Sequence, residues 1–442
     1  MAEELPGERE AKRDRPARRS RTDVIAHRIR ALGRLDLADH ALLLGVFLAT
    51  YLSIRPWAVF VTISDLLILA AGVLMLLTGR LILRPFGSAT GLWFIGLALL
   101  LGGLFISSLN SGALERWALV GVQYLFCLLV LPLIFLSRGA ASWRRLAKAF
   151  VLGIVAMELV TFAVIMGHGA SYPALSARFG YAFFSGSGRV GAFFGDPNQH
   201  AAIISMGLPY LFYLRGIRAV RLLPFLAGLG ILVTALFWTA SVTGFAAALA
   251  ASLVYFVLTP ARASLPALIG VASLGFTLLA FDLPLPSSFE ERVLNAVTSG
   301  NVEEAGTFTG RTALIAEAWE VASDTTFLGV GVDQYRVVSS HEAPVHNTFL
   351  LLWTEGGFVS LLGWLVLLAV LAFSGLSALP RQPREAALAL SVLVGFVMFS
   401  QTAAHMYARV WMLPVILALA PPLRGLQPGG LLPRAVPQGA AP

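Results

Sequence analysis

Long runs of apolar residues, separated by short polar hinges, make up most of the chain. The hydrocarbon core of a bilayer is about 30 Å thick and needs about 20 mostly apolar residues to be crossed by a helix. On that criterion the pattern predicts an all-α polytopic membrane protein with about twelve transmembrane helices. They lie at 38–54, 57–77, 89–106, 117–137, 149–168, 199–214, 221–239, 242–258, 264–281, 346–378, 385–403 and 408–423. The tenth is long enough to tilt, or to bend at Gly356-Gly357.

The spans divide the chain into seven parts. The first, 1–37, is a basic tail whose residues 24–35 have the spacing of a helix lying on the membrane surface. Helices 1–5 occupy 38–168, helices 6–9 occupy 199–281, and helices 10–12 occupy 346–423. Two long polar segments, 169–198 and 282–345, separate these groups, and the second is expected to contain short helices. A Pro- and Gly-rich tail, 424–442, is expected to be disordered.

Composition excludes a soluble protein. Hydrophobic residues make up 57% of the chain and charged residues 13%, against roughly a quarter charged in an ordinary soluble domain. The net charge is +8. Nearly all basic residues are Arg, and this preference for Arg over Lys does not indicate nucleic-acid binding. The single cysteine, Cys127, lies in an apolar run and excludes both an intrachain disulfide and a cysteine-based metal site.

The distribution of basic residues predicts the orientation. With a cytoplasmic N-terminus, the hinges and tails on that side hold 24 of the 32 basic residues. Basic residues are retained in the cytoplasm, so both termini are expected there. The opposite side keeps only eight: Arg55, Arg116, Arg178, Arg189, Arg292, Arg311, Arg336 and Arg409.

The segment 169–198 is the first place where candidate chemistry collects. Its second half interleaves aromatics with glycines and carries one cation, Arg189, ahead of Asp196-Pro197-Asn198. Glycines let backbone amides approach a ligand closely, and a guanidinium fork suits phosphate oxygens. The alternative is an interfacial loop with aromatic anchors at the headgroup level.

The segment 282–345 and the start of the tenth span supply the other candidates. An amphipathic helix is predicted from Thr309 to Ser323, with Arg311 in its first turn, where the helix dipole and a guanidinium both favour phosphate. His346 precedes Asn347, a predicted N-cap, and the positive helix end favours a neutral imidazole that can accept a proton from a hydroxyl. The alternatives are a helix that only packs over the bundle and a histidine that only lies at the headgroup level.

Other ionisable groups at membrane depth are costly and are expected to be functional or paired. They are Asp65, Glu158, Glu355 and Arg409. The seven histidines show no metal-binding spacing, and no Walker loop or dinucleotide fingerprint follows a strand. We therefore expect neither a metal nor a cofactor.

Four motifs in a fixed order resemble one known family. They are GRxGxFxxDPN at 188–198, TGRTxLIxxAW at 309–319, LGVGVDQY at 328–335 and HNTFLxxxxEGG at 346–357. Together with the predicted topology, this order resembles the superfamily of O-antigen ligases and Wzy-type O-antigen polymerases. The resemblance covers residues from about 180 to 365.

The resemblance implies a metal-independent glycosyltransferase of the GT-C type in the bacterial inner membrane, with a periplasmic active site. Its partners would be an undecaprenyl-pyrophosphate-linked glycan as donor, a lipid A-core or glycan hydroxyl as acceptor, and membrane lipids, without nucleic acid. By motif match, Arg189 and Arg311 would bind the pyrophosphate and His346 the acceptor hydroxyl. Asp196, Asn198 and Asn347 would belong to the substrate-binding surroundings.

One departure from the family pattern concerns a cation. Many relatives carry Ser-Arg near the start of the eighth span, where this chain has Ser241-Val242. If that Arg supports donor binding, another cation must replace it, and Arg336 and Arg409 are the candidates for this substrate-binding role.

Four functions remain open at this point. A ligase would move a finished polysaccharide from its polyprenyl carrier to lipid A-core, whereas a polymerase would extend the lipid-linked chain. A secondary transporter could also have twelve spans, but it should concentrate its ionisable residues at the bilayer midplane. A non-catalytic scaffold would not need His346 or Arg311. Because most candidate residues lie in the two long segments, a transporter is disfavoured. The sequence does not separate the ligase from the polymerase well, and we take the ligase as the first reading and the polymerase as the alternative.

Overall fold

The computed structural model describes residues 37–56, 61–168, 172–179, 183–185, 188–260, 289, 308–404 and 408–426. Within these residues the only strand-like pairing is a single antiparallel bridge between Phe184 and Val190. The all-helical class predicted from the sequence is confirmed for this part of the chain. The predicted surface helix at 24–35, the ninth span at 264–281 and the tail beyond residue 426 lie outside the described residues.

Fourteen helices, labelled here in chain order, account for most of the described residues. They are α1 Leu37–Phe47, α2 Ile63–Leu77, α3 Thr90–Ser111, α4 Leu114–Phe135, α5 Ala140–His168, α6 Tyr172–Phe179, α7 Pro197–Gly216, α8 Leu222–Thr239, α9 Val242–Leu258, α10 Phe308–Asp324, α11 Tyr335–Val338, α12 Thr348–Ala378, α13 Pro383–Ser400 and α14 Arg409–Leu426. Helix α4 contains one π-helical turn at Phe126–Val130.

Six helices in the described residues are long and apolar enough to cross a membrane, namely α3, extended to Gly87–Ser111, and α4, α5, α8, α12 and α13. Three shorter apolar helices are Leu37–Thr50, Ile63–Leu77 and Val242–Leu258. The predicted count of twelve is therefore not confirmed. Two predicted spans coincide with α7 and α14, which are buried along nearly their whole length. Both helices contain internal prolines, Pro209 in α7 and Pro414, Pro421 and Pro422 in α14.

Helices α3 and α12 pack closely against each other. A Cβ atom added at Gly103 would collide with the Ser360 hydroxyl, and one added at Gly363 would collide with the backbone of Leu100. The Ser360 hydroxyl donates a hydrogen bond to the Leu100 carbonyl oxygen at 2.9 Å. Small residues are what allow two helix backbones to approach this closely in a membrane, where packing and interhelical hydrogen bonds hold helices together.

The predicted bend in the long tenth span is present. Within α12, Gly357 has φ 69° and ψ −178°, which interrupts the helix. The backbone groups next to this break pair with residues 326–331: Phe358 N–H donates to the Thr326 carbonyl, and the Thr354 carbonyl accepts from Val330 N–H. An interrupted helix is tolerated inside a membrane only when other protein groups satisfy its backbone in this way.

We predict that Gly357→Ala destabilises the protein, because a side chain at this φ is strained and its Cβ would collide with the Phe327 carbonyl oxygen. Strain of this kind costs about 1–3 kcal/mol before the collision is counted. The matched control is Gly102→Ala on α3, where an added Cβ meets nothing within 4 Å. Thermal unfolding in detergent should show a lower midpoint for Gly357→Ala only. Equal midpoints for the two variants would show that the bend does not require glycine at position 357.

Candidate active site

A cleft of about 240 Å³ lies where α7, α12 and α14 begin. Its walls come from the first turn of α7, the residue pair before α12, the end of α13 with the segment that follows it, and the first turn of α14. The lining residues are Asp196, Asn198, Gln199, Ala202, Pro344, His346, Phe399, Thr402, Ala403, Ala404 and Trp411. Two of the predicted site segments, 188–198 and His346, thus meet at one cleft although about 150 residues separate them along the chain.

The Asp196-Pro197-Asn198 segment forms one wall by starting α7. The Asp196 side chain accepts hydrogen bonds from the N–H groups of Asn198 and Gln199 at 2.7 and 2.9 Å, and Pro197 occupies the first helical position. This is a favourable start for a helix, because Asp satisfies orphan N–H groups and proline needs none. Asp196 therefore organises this segment by capping α7.

Arg189 lies behind this wall, is only 7% exposed, and does not line the cleft. Its Nε donates to the Thr239 carbonyl oxygen at 2.7 Å, at the end of α8. Its Nη2 donates to Oδ1 of Asn198 at 2.8 Å, and the same oxygen accepts from the Ser241 hydroxyl at 2.9 Å. Arg189 therefore joins the 188–198 segment, the α8–α9 turn and the cleft wall.

A fully buried pair supports the same segment from the other side. Nε2 of His200 on α7 lies 2.7 Å from Oε1 of Glu158 on α5, and both side chains are 0% exposed. Nδ1 of His200 lies 3.1 Å from the Val190 carbonyl oxygen. Because a carbonyl only accepts, Nδ1 carries a proton, so His200 connects the residue after Arg189 to α5. His200 is therefore the partner of Glu158, one of the ionisable residues expected to be functional or paired at membrane depth.

His346 reaches the opposite wall through the start of α12. The Asn347 side chain accepts from Leu350 N–H at 3.0 Å, which confirms the predicted N-cap. Its amide nitrogen donates to Oε1 of Gln401 at 3.1 Å, and the Thr348 hydroxyl donates to the Ala403 carbonyl at 2.8 Å. The beginning of α12 is thus attached to the segment after α13. Asn347 serves this attachment and does not line the cleft.

The predicted amphipathic helix of the second long segment is present as α10. Leu314 and Ala318 are buried on one face of it. Arg311 lies in the first turn of this helix, as expected, but its side chain is outside the described residues. The place of Arg311 in the site stays a prediction.

Glu317 of α10 attaches the segment that leads to His346. Its carboxylate accepts from the Ser339 hydroxyl at 2.6 Å, from Ser340 N–H at 2.7 Å and from the Tyr335 hydroxyl at 3.2 Å. These bonds, that of Ser339 above all, lower the pKa of Glu317 to about 2. Burial raises the pKa of Tyr335 to about 12, so its hydroxyl keeps its proton and can donate.

Arg409 and Arg336 were considered as replacements for the cation that is missing at Val242. Both are bonded to other residues. Arg409 is buried, with Nε 2.6 Å from Oδ1 of Asp65 and Nη2 2.5 Å from the Thr62 hydroxyl at the start of α2. Nη2 of Arg336 lies 2.9 Å from Oδ2 of Asp333. Neither arginine lines the cleft. The structure therefore gives neither arginine support as the replacement cation. Buried Arg409 is instead paired with Asp65, which is partly buried.

Glu355, the remaining ionisable residue at membrane depth, is buried in α12. Its carboxylate faces the backbone N–H groups of Asp333 and Tyr335 at the start of α11. This agrees with the expectation that an ionisable residue at this depth is functional or paired.

Several residues of the site were not predicted. Ser241 was noted only because it precedes Val242, yet it helps to orient Asn198. The cleft is also lined by Thr402, Phe399 and Trp411. In the sequence, only their position near the ends of predicted spans could have indicated a place in the site. Within the described residues, no three His, Cys, Asp or Glu side chains come together in a way that could hold a metal ion.

The described helices and the cleft define a polytopic helical membrane protein with a polar site at one end of its central helices. A family model described as O-antigen ligase, Wzy_C, matches residues 225–365. The matched region runs from α8 into α12 and includes Ser241, Arg311 and His346, whereas the 188–198 segment precedes it. The match supports the resemblance for the three motifs at 309–319, 328–335 and 346–357, which lie within the matched region. No curated protein matches the chain.

We predict a pH-dependent effect of Glu317→Gln. Because the pKa of Glu317 in the folded protein lies below its ordinary value of 4.5, its stabilising contribution is complete above about pH 4.5 and is lost as the pH falls toward 2. The unfolding midpoint of the variant should lie below that of the wild type at neutral pH, and the two should converge in acid. A difference that is constant with pH would contradict the described role of this carboxylate.

Proposed function

We propose that the protein is a glycosyltransferase of the O-antigen ligase type. It moves a polysaccharide from undecaprenyl pyrophosphate to a hydroxyl of lipid A-core at the periplasmic face of the bacterial inner membrane. The observation that carries this proposal is the cleft in which His346 meets the Asp196–Asn198 segment. The family match over 225–365 supports the same class of reaction.

The proposed reaction is an in-line displacement without a metal. The acceptor oxygen forms a bond to the anomeric carbon, the bond from that carbon to the pyrophosphate oxygen breaks, and undecaprenyl pyrophosphate leaves with the bonding electrons. The acceptor proton passes to a ring nitrogen of His346, which acts as general base. The anomeric configuration is inverted. The departing pyrophosphate is stabilised by fixed hydrogen-bond donors and by Arg311.

The cleft is suited to a base because His346 lies immediately before the N-terminus of α12. The positive end of the helix dipole disfavours an imidazolium, so the imidazole is expected to be neutral and able to accept a proton. The other walls offer the amides of Asn198 and Gln199, the Thr402 hydroxyl and the ring of Trp411. Such a mixture of amide, hydroxyl and aromatic groups suits a polyhydroxylated substrate.

Polymerisation of lipid-linked repeat units is the alternative, because the same donor chemistry serves both reactions. A deletion strain separates the two. Lipid-linked chains of normal length without attachment to lipid A-core are expected for a ligase. An accumulation of single lipid-linked repeat units would instead identify a polymerase.

We predict that His346→Ala and Arg311→Ala abolish glycan transfer, each without reducing the amount of protein in the membrane. Loss of a general base typically lowers the rate by a factor of about 10² to 10⁴. The matched control is His341→Ala, an exposed histidine five residues before His346 that does not line the cleft. Complementation of the deletion strain, read by lipopolysaccharide gels and immunoblots of the protein, is the measurement. Normal transfer by either of the first two variants would contradict the assigned roles.

A further inference from the structure

The side chain of Asn198 has a fixed orientation. Its Oδ1 accepts from Nη2 of Arg189 and from the hydroxyl of Ser241. A guanidinium has no acceptor atom, so the atom facing Arg189 must be the amide oxygen. The amide N–H₂ group is therefore on the side that faces away from Arg189. Within the part of the chain that the structure describes, this N–H₂ group makes no hydrogen bond. Asn198 itself lines the cleft.

The surroundings make this amide a strong donor toward an anion. Donation from a charged guanidinium to Oδ1 polarises the amide, and chains of hydrogen bonds strengthen one another in this way. Three helices, α7, α12 and α14, also direct their N-terminal ends toward the cleft, and their dipoles favour negative charge there. The one carboxylate in the cleft, Asp196, directs Oδ1 to two N–H groups of α7.

We infer that Asn198 is the residue that contacts the pyrophosphate of the donor, and that Arg189 acts on the pyrophosphate through Asn198. This inference rests on the proposed function and makes it more specific. Arg189 and Ser241 are positioning residues: they hold Oδ1 and leave the N–H₂ group to donate to a phosphate oxygen in the cleft. The positive charge of Arg189 reaches the site through the polarised amide.

The test is the isosteric variant Asn198→Asp. The new carboxylate keeps one oxygen for Arg189 and Ser241, so the wall and the fold are preserved, but the donor is replaced by a second charged oxygen. If Asn198 were only structural, this variant would be active, because an Arg–Asp pair is at least as strong as an Arg–Asn hydrogen bond. If Asn198 contacts pyrophosphate, the variant repels it.

Two measurements on the purified full-length protein in detergent decide between these outcomes. In the first, initial rates of transfer are compared at varied donor and varied acceptor concentration. We expect the KM for donor to rise about tenfold or more, with the KM for acceptor nearly unchanged, because a charge-assisted hydrogen bond is replaced by repulsion. In the second, binding of undecaprenyl pyrophosphate is measured directly, and the same loss is expected without any turnover.

The matched control is Gln199→Glu. Gln199 is exposed at the same cleft, and the substitution introduces the same charge one residue away, but nothing orients that side chain toward the ligand. It should weaken binding of undecaprenyl pyrophosphate several-fold less than Asn198→Asp. Equal losses would show a general charge effect and overturn the assigned contact.

These measurements distinguish a failure of this inference from a failure of the proposed function. If the wild type transfers glycan and Asn198→Asp is equally active, the inference is wrong and the proposed function stands. If the KM for acceptor rises in place of the KM for donor, Asn198 contacts the acceptor and the inference is again wrong. If the wild type neither transfers glycan nor binds undecaprenyl pyrophosphate, the proposed function fails as well.

Discussion

The contact between Arg189 and Asn198 is the constraint on which the arrangement of the site depends. A guanidinium that is 7% exposed is costly to bury unless its donors are satisfied. Here it is bonded to the Thr239 carbonyl and to the Asn198 amide oxygen. These bonds fix the distance between the α8–α9 turn and the start of α7. Without them, Asn198 would have no defined orientation in the cleft.

A second set of buried polar contacts holds the other walls. His200 and Glu158 secure the segment that contains Arg189, and the pair of Arg409 with Asp65 attaches the first turn of α14, which carries Trp411, to the start of α2. Truncating one member of a buried pair leaves the other charge uncompensated, which costs about 3–5 kcal/mol. The cleft is thus lined by side chains whose supports lie deep in the helical packing, and this rigidity suits the proposed reaction, in which an acceptor oxygen is placed against an anomeric carbon.

Local features of the fold were predictable from the sequence. The bend at Gly357, the N-cap at Asn347 and the helix that begins before Arg311 each depend on residues within one or two helical turns. The meeting of the 188–198 segment with His346 followed from the resemblance to a family, and not from the residues alone. The pairing of Arg409 with Asp65 joins positions 344 residues apart, and no local pattern predicts such a contact. The number of spans stays a prediction for a related reason, because helices such as α7 and α14 are buried among other helices and their composition alone does not identify them as spans.

We propose that this cleft transfers a glycan from a polyprenyl pyrophosphate to a hydroxyl without a metal. The most direct measurement is transfer by purified protein from an undecaprenyl-pyrophosphate glycan, in the presence of a chelator, with lipid A-core or a second lipid-linked unit as the acceptor. We expect a glycosylated lipid A-core product and stoichiometric release of undecaprenyl pyrophosphate. Transfer to neither acceptor, or transfer that stops when the chelator is added, would contradict this proposal.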